Sequence, residues 1–389
     1  MTTTPSTRAE QLRRHFEGLL GIPATEGNEI TILRNGDEIF PAMLEAIRGA
    51  ERTVDFLTFV YWRGDIATDF AEALSERAEK GIRVRVLLDA FGTLKMDRGL
   101  IQRMESSGVQ VHWFRKPLVA TPVQLQHRTH RKVLVVDDSI AFTGGVGIAE
   151  QWCGDARDET EWRDSHFRVE GPAVDGIGAA FAQNWAETGR PLCEPGDTFP
   201  DHGKPGKSTV IVARGSATIG WNDMSTVFRL AIENAKHQLR LTTAYFMPDE
   251  FFEQLLIEAA ERGVEVDVLV PGVHADKVLC RLAGESTFER LTSGGVRIWR
   301  YEPSMLHAKI TTVDGELAVV GSANVNRRSL RHDEEIVMVV FDPTVAATLD
   351  EHFEHDLSRA ERVSPRRWQD RPVRQRAGEA VTAVMRRWM

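Results

Sequence analysis

Two short stretches of the chain carry the same polar residues at the same spacing. His130, Lys132, Asp137, Gly144 and Gly145 form one set, and His307, Lys309, Asp314, Gly321 and Ser322 form the other. One residue separates His from Lys, four separate Lys from Asp, and six separate Asp from the small pair, in both sets. Five positions agreeing twice mark a duplicated supersecondary unit with one composite site. The residue types suit a phosphodiester. Two ammonium groups can neutralise it, while one imidazole attacks phosphorus and the other protonates the departing alkoxide. Imidazole serves both tasks because its pKa lies near working pH.

The elements that carry these residues follow from their patterns. Each His opens a strand-like run, HRKVLVVD or HAKITTVD, in which residues two apart share a face. His130 and Lys132 then project together, as do His307 and Lys309. Asp137-Asp138 and Asp314-Gly315 read as hairpin turns. Asp137 and Asp314 are therefore expected to fix those turns and to lie beyond reach of the His–Lys face. The small pair on the returning strand should let backbone approach the site and leave N–H groups free for an anion. An imidazole nucleophile also needs a carboxylate to set its tautomer. The candidates are Asp164 and Glu335, which follow their histidines by 34 and 28 residues. Glu334 and Asp333 compete with Glu335 for the second role.

The 389 residues fit two domains, and 42 % hydrophobic content supplies two cores. Apolar runs are strand-sized, so none predicts a bilayer span. Met1 to Phe16 lacks a signal-like apolar stretch, and three cysteines without metal spacing suit a reducing compartment. These features predict a cytoplasmic protein. The net charge of −9 is uneven: nine arginines against three acids make the tail from Arg359 about +6, which leaves the body at −15. An acidic body argues against binding along a nucleic-acid backbone but permits a small, locally basic phosphate site.

Residues 1–27 read as a helical arm, with helical spacing from Ala9 to Leu20. Strand, helix, Gly stop and strand recur in both halves: 52–61, 67–78 and 84–88, then 238–245, 251–261 and 264–270. That alternation predicts helix-flanked sheets, an α/β fold, with a first unit at 28–190, a Gly/Pro-rich linker at 191–207 and a second unit at 208–358. The tail, 359–389, carries an apolar stripe at Ala377, Ala380, Val381, Val384, Met385 and Trp388 beside Arg376, Arg386 and Arg387. Such a helix suits an anionic lipid interface, or equally docks on the body or a second subunit. Pro117 to Leu125 is a second apolar stretch, read as membrane contact or as a loop over the domain interface.

The two HxK-x4-D-x6-G-[GS] units resemble the paired motifs of the phospholipase D superfamily. TTAYFMPDE (242–250), MLHAKITTVDG (305–315), GSANVNRRS (321–329) and WRDSHFRVEGPAV (162–174) are most similar to the bacterial cardiolipin synthases. The resemblance implies two α/β/α sandwich repeats related by a pseudo-twofold, with the active site at their interface. It implies a phosphohistidine intermediate with no metal and no cofactor. His130 would be the nucleophile and His307 the general acid and base, or the reverse, since the site is nearly symmetric. Lys132, Lys309 and Asn324 would hold phosphate oxygens, Asp164 and Glu335 would orient the histidines, and Gly145 and Ser322 would line the phosphate pocket. The implied reaction joins two phosphatidylglycerols, or phosphatidylglycerol and another alcohol, with release of glycerol, on the inner face of the membrane.

Two departures stand out. Gly147 takes the place where the family usually has Asn, so one amide contact is missing or supplied elsewhere. Many cardiolipin synthases also begin with transmembrane helices, whereas here membrane access is expected to be peripheral. Two other readings remain: a phosphodiesterase of the same superfamily acting on a phospholipid or a nucleic acid, and a non-catalytic membrane scaffold. The acidic body disfavours the nuclease form, and two intact His–Lys pairs disfavour the scaffold.

Overall fold

The computed structural model describes residues 7–116, 127–194, 199–216 and 221–364. The apolar tail stripe and the 117–125 stretch lie outside these residues. The strands of the first half are β1 (Thr25–Arg34), β2 (Thr53–Thr58), β3 (Arg83–Asp89), β4 (Gln110–Phe114), β5 (Val133–Val136), β6 (Ile140–Gly144) and β7 (Ser165–Glu170). The second half supplies β8 (Ser208–Ser216), β9 (Trp221–Asn222), β10 (Gln238–Thr242), β11 (Glu265–Pro271), β12 (Arg297–Tyr301), β13 (Ile310–Val313), β14 (Leu317–Gly321), β15 (Glu335–Phe341) and β16 (Ala360–Arg362).

The sheet reads outward from its middle in the same order on both sides. One side runs β1-β7-β6-β5-β2-β3-β4, and the other runs β8-β15-β14-β13-β10-β11-β12, with β16 added at the edge. β1 and β8 pair antiparallel where the halves meet, with Thr25 opposite Val210 and Asn28 opposite Ser208. The duplication read from the motifs is thus a pseudo-twofold about the β1–β8 seam. In each half the inner strands pair antiparallel and the outer three, β2-β3-β4 or β10-β11-β12, pair parallel. Parallel strands need covering helices. These are α2 (Asn35–Gly49), α3 (Asp65–Glu79) and α4 (Arg98–Ser106) in the first half, and α6 (Met224–Asn234) and α7 (Glu250–Glu261) in the second.

The opposite face is covered by α5 (Ala173–Ala186) and by α11 (Pro343–Leu357). Between them lies one apolar core that both halves share: Ile177, Phe181 and Trp185 pack with Leu57, Val133 and Val135, and also with Val212, Ile310, Ile336 and Leu349. The linker is irregular where described. The N-terminal arm is helical, as α1 (Arg8–Leu20), started by a Thr7–Glu10 capping box. It is not a free arm, however. Leu12, Phe16 and Leu20 join the core of the second half, against Met224, Val227 and Leu230. Crossing from one half to the other, the chain runs from α1 straight into β1 at the seam.

Candidate active site

Each histidine sits just before its strand rather than within it, since β5 begins at Val133 and β13 at Ile310. What holds the pre-strand segments is a pair of short parallel bridges between the halves. Thr129 bridges Glu334, with the His130 N–H donating to the Glu334 carbonyl at 2.9 Å. Arg163 bridges Leu306, with the His307 N–H donating to the Arg163 carbonyl at 2.7 Å. These bridges decide the carboxylate pairing, and they overturn the one suggested by chain order. Asp164 does not serve His130, the histidine it follows in its own half; it accepts from His307 Nδ1 at 2.8 Å. Glu335 does not serve His307; it faces His130 Nδ1 at 3.0 and 3.1 Å. Each imidazole is therefore oriented by the other half, and neither half holds a complete pair.

Glu334 and Asp333 take other work. Glu334 is fully buried against Arg115 and Arg131 and accepts from the Ser216 hydroxyl at 3.0 Å. Asp333 pairs with Arg328 at 2.7 Å. Burial of both arginines requires such counter-charges.

The repeated small pair has a different purpose from the one its composition suggested. Gly144 and Gly321 adopt φ of 158° and 154°. The Gly145 N–H donates to the Ser165 carbonyl at 3.2 Å and the Ser322 N–H to the Ile336 carbonyl at 2.9 Å, so neither is free for an anion. Gly145 and Ser322 do not line the cavity between the histidines; they seat the carboxylates behind it. A Cβ on Gly145 would overlap the Asp164 carboxylate. At the equivalent place Ser322 donates its hydroxyl to Glu335.

Asp137 and Asp314 also lie away from the cavity wall. Their φ values of 52° and 54° place them at the hairpin turns. Each also ties down the start of the strand paired beside its own, β2 or β10. Asp137 accepts the N–H groups of Glu51, Arg52 and Thr53 at 2.9, 2.7 and 2.9 Å. Asp314 accepts those of Lys236, His237 and Gln238 at 2.9, 2.7 and 2.8 Å, and pairs with Arg8 of α1. Each carboxylate thus gathers three backbone donors at a strand entry.

His130, Lys132, His307 and Asn324 line one cavity of about 780 Å³. Lys309 is buried beside its histidine, with Nζ 2.9 Å from His307 Nδ1. The Asn324 carbonyl oxygen is taken by the Thr243 hydroxyl and the Tyr245 N–H, both at 3.3 Å, leaving its NH2 to serve as a donor. Gly147, the corresponding residue of the first half, has no room for an amide, because a Cβ would sit 2.7 Å from Val60. The cavity wall is accordingly lopsided. The first half contributes more aromatic surface, with Phe59, Trp62, Phe91, Trp152 and Trp162 beside the cations Lys95 and Arg128, and the second more polar surface, with Asn324, Asn326, Arg328, Ser329 and Asp333 beside Tyr245 and Met247.

Trp152 is a positioning residue that sequence reasoning missed. Its indole N–H donates to Asp164 at 2.8 Å, and its ring meets His307 edge-on at a centroid distance of 5.2 Å. Nothing in the repeat pointed to it, since the second half has Ser329 at the equivalent position.

Burial sets the electrostatics. It pushes His130 well below the usual imidazole range, and Lys132 and Lys309 add to the effect. It brings His307 down to about 3, with Lys309 beside it. Both shifts favour the neutral ring, with a lone pair available, until an anionic group is bound beside it. Burial also lowers Lys132 to about 7 and Lys309 to about 8, against the pull of Glu335 and Asp164. The two carboxyls diverge. Burial pushes Glu335 up to about 7. Burial alone would raise Asp164 as well, but His307, Lys309 and the Trp152 N–H outweigh it and hold the carboxyl well below its usual range.

A family model described as "Cardiolipin synthase, PLD-like domain" matches residues 43–165 and 229–357. Cardiolipin synthase A of Pseudomonas fluorescens is 30 % identical over 366 residues, covering 93 % of this chain and 75 % of that protein. The probable cardiolipin synthase YwiE of Bacillus subtilis is 31 % identical over 361 residues, with 92 % and 71 % covered. Among solved structures, phosphatidylserine synthase of Haemophilus influenzae Rd KW20 superposes with a TM-score of 0.71 at 16 % identity, over 96 % of this chain and 99 % of that one, a likeness of fold.

Proposed function

The chain belongs to the phospholipase D-like family of cardiolipin synthases, and from that premise we propose that it is a phosphatidyltransferase joining two phosphatidylglycerols with release of glycerol. One observation carries the chemistry: two imidazoles, each backed by a carboxylate of the opposite half, with a lysine beside each, at one cavity. That set can form and break a phosphorus–nitrogen bond without further groups.

His130 is the nucleophile in this reading. Its Nε2 lone pair attacks phosphorus while its Nδ1–H donates to Glu335. The phosphorus–oxygen bond to glycerol breaks, and the alkoxide takes the Nε2 proton of His307, which the bound phosphodiester anion and the ionised Asp164 hold as the imidazolium for this step. Neutral His307 then removes the proton of the incoming lipid hydroxyl. The oxygen attacks phosphorus, and the bond to His130 breaks. The divergence of the carboxyls supports this division. Asp164, held ionised, stands behind the ring that must carry a full positive charge. Glu335, pushed up to about 7, stands behind the ring that must keep its lone pair. Lys132, Lys309 and the Asn324 NH2 neutralise the non-bridging phosphate oxygens. The mixed wall suits a lipid, with aromatic and apolar side chains for diacylglycerol and charged and amide groups for headgroups.

The substrate is insoluble and no described helix is long and apolar enough to cross a membrane, so a peripheral approach to an anionic bilayer belongs to the same reading. Incubation with phosphatidylglycerol vesicles tests it. Cardiolipin and glycerol are the expected products. Phosphatidic acid alone would replace the transferase by a hydrolase. His130→Ala and His307→Ala are each expected to lower turnover at least about 10³-fold, since each general acid–base or nucleophilic role supplies that order. Full biological effect with His130→Ala would instead favour a scaffold.

A further inference from the structure

Two segments flank the cavity mouth, and they are related by the pseudo-twofold. One follows β3 and the other follows β11, the middle strands of the two parallel trios. Each carries a lysine six residues past the strand end, Lys95 after Asp89 and Lys277 after Pro271. Both lysines line the cavity. Each ammonium rests over an aromatic ring of its own half, Lys95 over Trp62 at 4.2 Å and Lys277 over Tyr245 at 4.9 Å. Among the described residues neither has a carboxylate partner within salt-bridge distance. Asp276, also at the mouth, accepts from the Tyr245 hydroxyl at 2.9 Å.

The same segments expose large apolar side chains. Phe91 and Leu94 are 50 % and 76 % exposed, and Val273, Val278 and Leu279 are 61 %, 52 % and 52 % exposed. Nine large apolar side chains stand out as exposed among the described residues, and five of them lie on these two segments. Val278 and Leu279 open α8 (Val278–Glu285), which buries only Ala283, Gly284 and Glu285 at its far end. An apolar rim of this kind, interleaved with cations and continuous with a lipid-sized cavity, does not serve folding.

We propose that the paired segments 89–97 and 271–279 form the surface that docks on an anionic bilayer, with Phe91, Leu94, Val278 and Leu279 entering the acyl boundary and Lys95 and Lys277 meeting lipid phosphates. This rests on the phosphatidyltransferase reading and says how the site meets its substrate. Charge complementarity selects the occupant. The net charge of −9 repels an anionic surface at long range, and at this face Lys95 and Lys277 supply local positive charge beside the apolar contacts. Presenting the mouth itself to the bilayer lets a headgroup reach the histidines while its acyl chains stay in apolar surroundings.

The test is the full chain carrying Leu94→Asp and Leu279→Asp together. Both residues are exposed and neither lines the cavity, so the melting temperature should hold. Co-sedimentation with vesicles of equal phosphatidylglycerol and phosphatidylcholine should weaken at least tenfold, and turnover on those vesicles should fall with it. Turnover on short-chain, monomeric phosphatidylglycerol should stay within about twofold. Unchanged vesicle binding would overturn the proposal. So would equal loss on both substrates, or vesicle binding lost only on deletion of residues 372–389. A wild-type protein that binds vesicles through these residues but turns over neither substrate would remove the activity and keep the docking surface.

Discussion

The two lysines beside the histidines titrate within the working pH range. Burial lowers Lys132 to about 7 and Lys309 to about 8. Their ammonium forms are therefore present below those values and are lost as pH rises through them. Phosphodiester binding to the free enzyme should weaken on that limb, so KM should climb between about pH 7 and pH 9. Bound phosphate favours the charged lysines and raises both pKa values again, which should leave kcat flatter than KM. A KM that stays flat from pH 6.5 to 9 would contradict the assignment of these groups to phosphate. Gly145 is a second residue-scale case, because its missing side chain is what admits the Asp164 carboxylate. Gly145→Ala should displace that carboxylate from His307 and lower kcat by about 10²-fold, the scale of a lost orienting partner. The melting temperature, read beside kcat, separates this from simple unfolding.

At the scale of elements, the aspartate of each repeat acts on the strand beside it. Asp314 joins the β13–β14 turn to the entry of β10 and, through Arg8, to α1. Burial would raise its pKa, but the backbone donors and Arg8 hold it below the usual carboxylate value. Its contribution to stability is therefore present above the unfolded value, near 3.9, and lost as pH falls through the lower folded one. Asp314→Asn should cost about 1–2 kcal/mol of stability, the range for a lost charged acceptor of backbone N–H groups, while kcat stays within a few-fold. A thermally normal but inactive protein would contradict this. Element boundaries also explain what the sequence blurred. The runs after each histidine look like strands from their first residue, yet ladder pairing starts only after the lysine. Ahead of it the chain is held by the bridges from Glu334 and Arg163 instead.

At the scale of the whole molecule, the halves are joined at several places. β1 pairs with β8, one apolar core draws on α5, α11 and both sheet halves, and the carboxylates cross over between the histidines. Such a body should unfold as one cooperative unit. Calorimetry should record a single transition, and two separated transitions would mean that the shared core contributes little.

Much of this was legible in the sequence because a duplication writes itself twice. The spacing of His130, Lys132 and Asp137 against His307, Lys309 and Asp314 determined the repeat, the phosphodiester chemistry, the hairpin turns and the α/β alternation. Those are local properties, set by residue type and by periodicity along the chain. Which carboxylate backs which histidine was not legible, since Asp164 and Glu335 reach their rings through contacts made across the twofold. Trp152 was silent because the other half carries Ser329 at that place, so no residue type is repeated. The seating of Asp164 on Gly145, the loss of space at Gly147, and the gathering of Lys95 and Lys277 at one mouth likewise depend on residues far apart in sequence. Only the folded chain brings them within a few ångströms, and at that range packing and burial decide what each group can do.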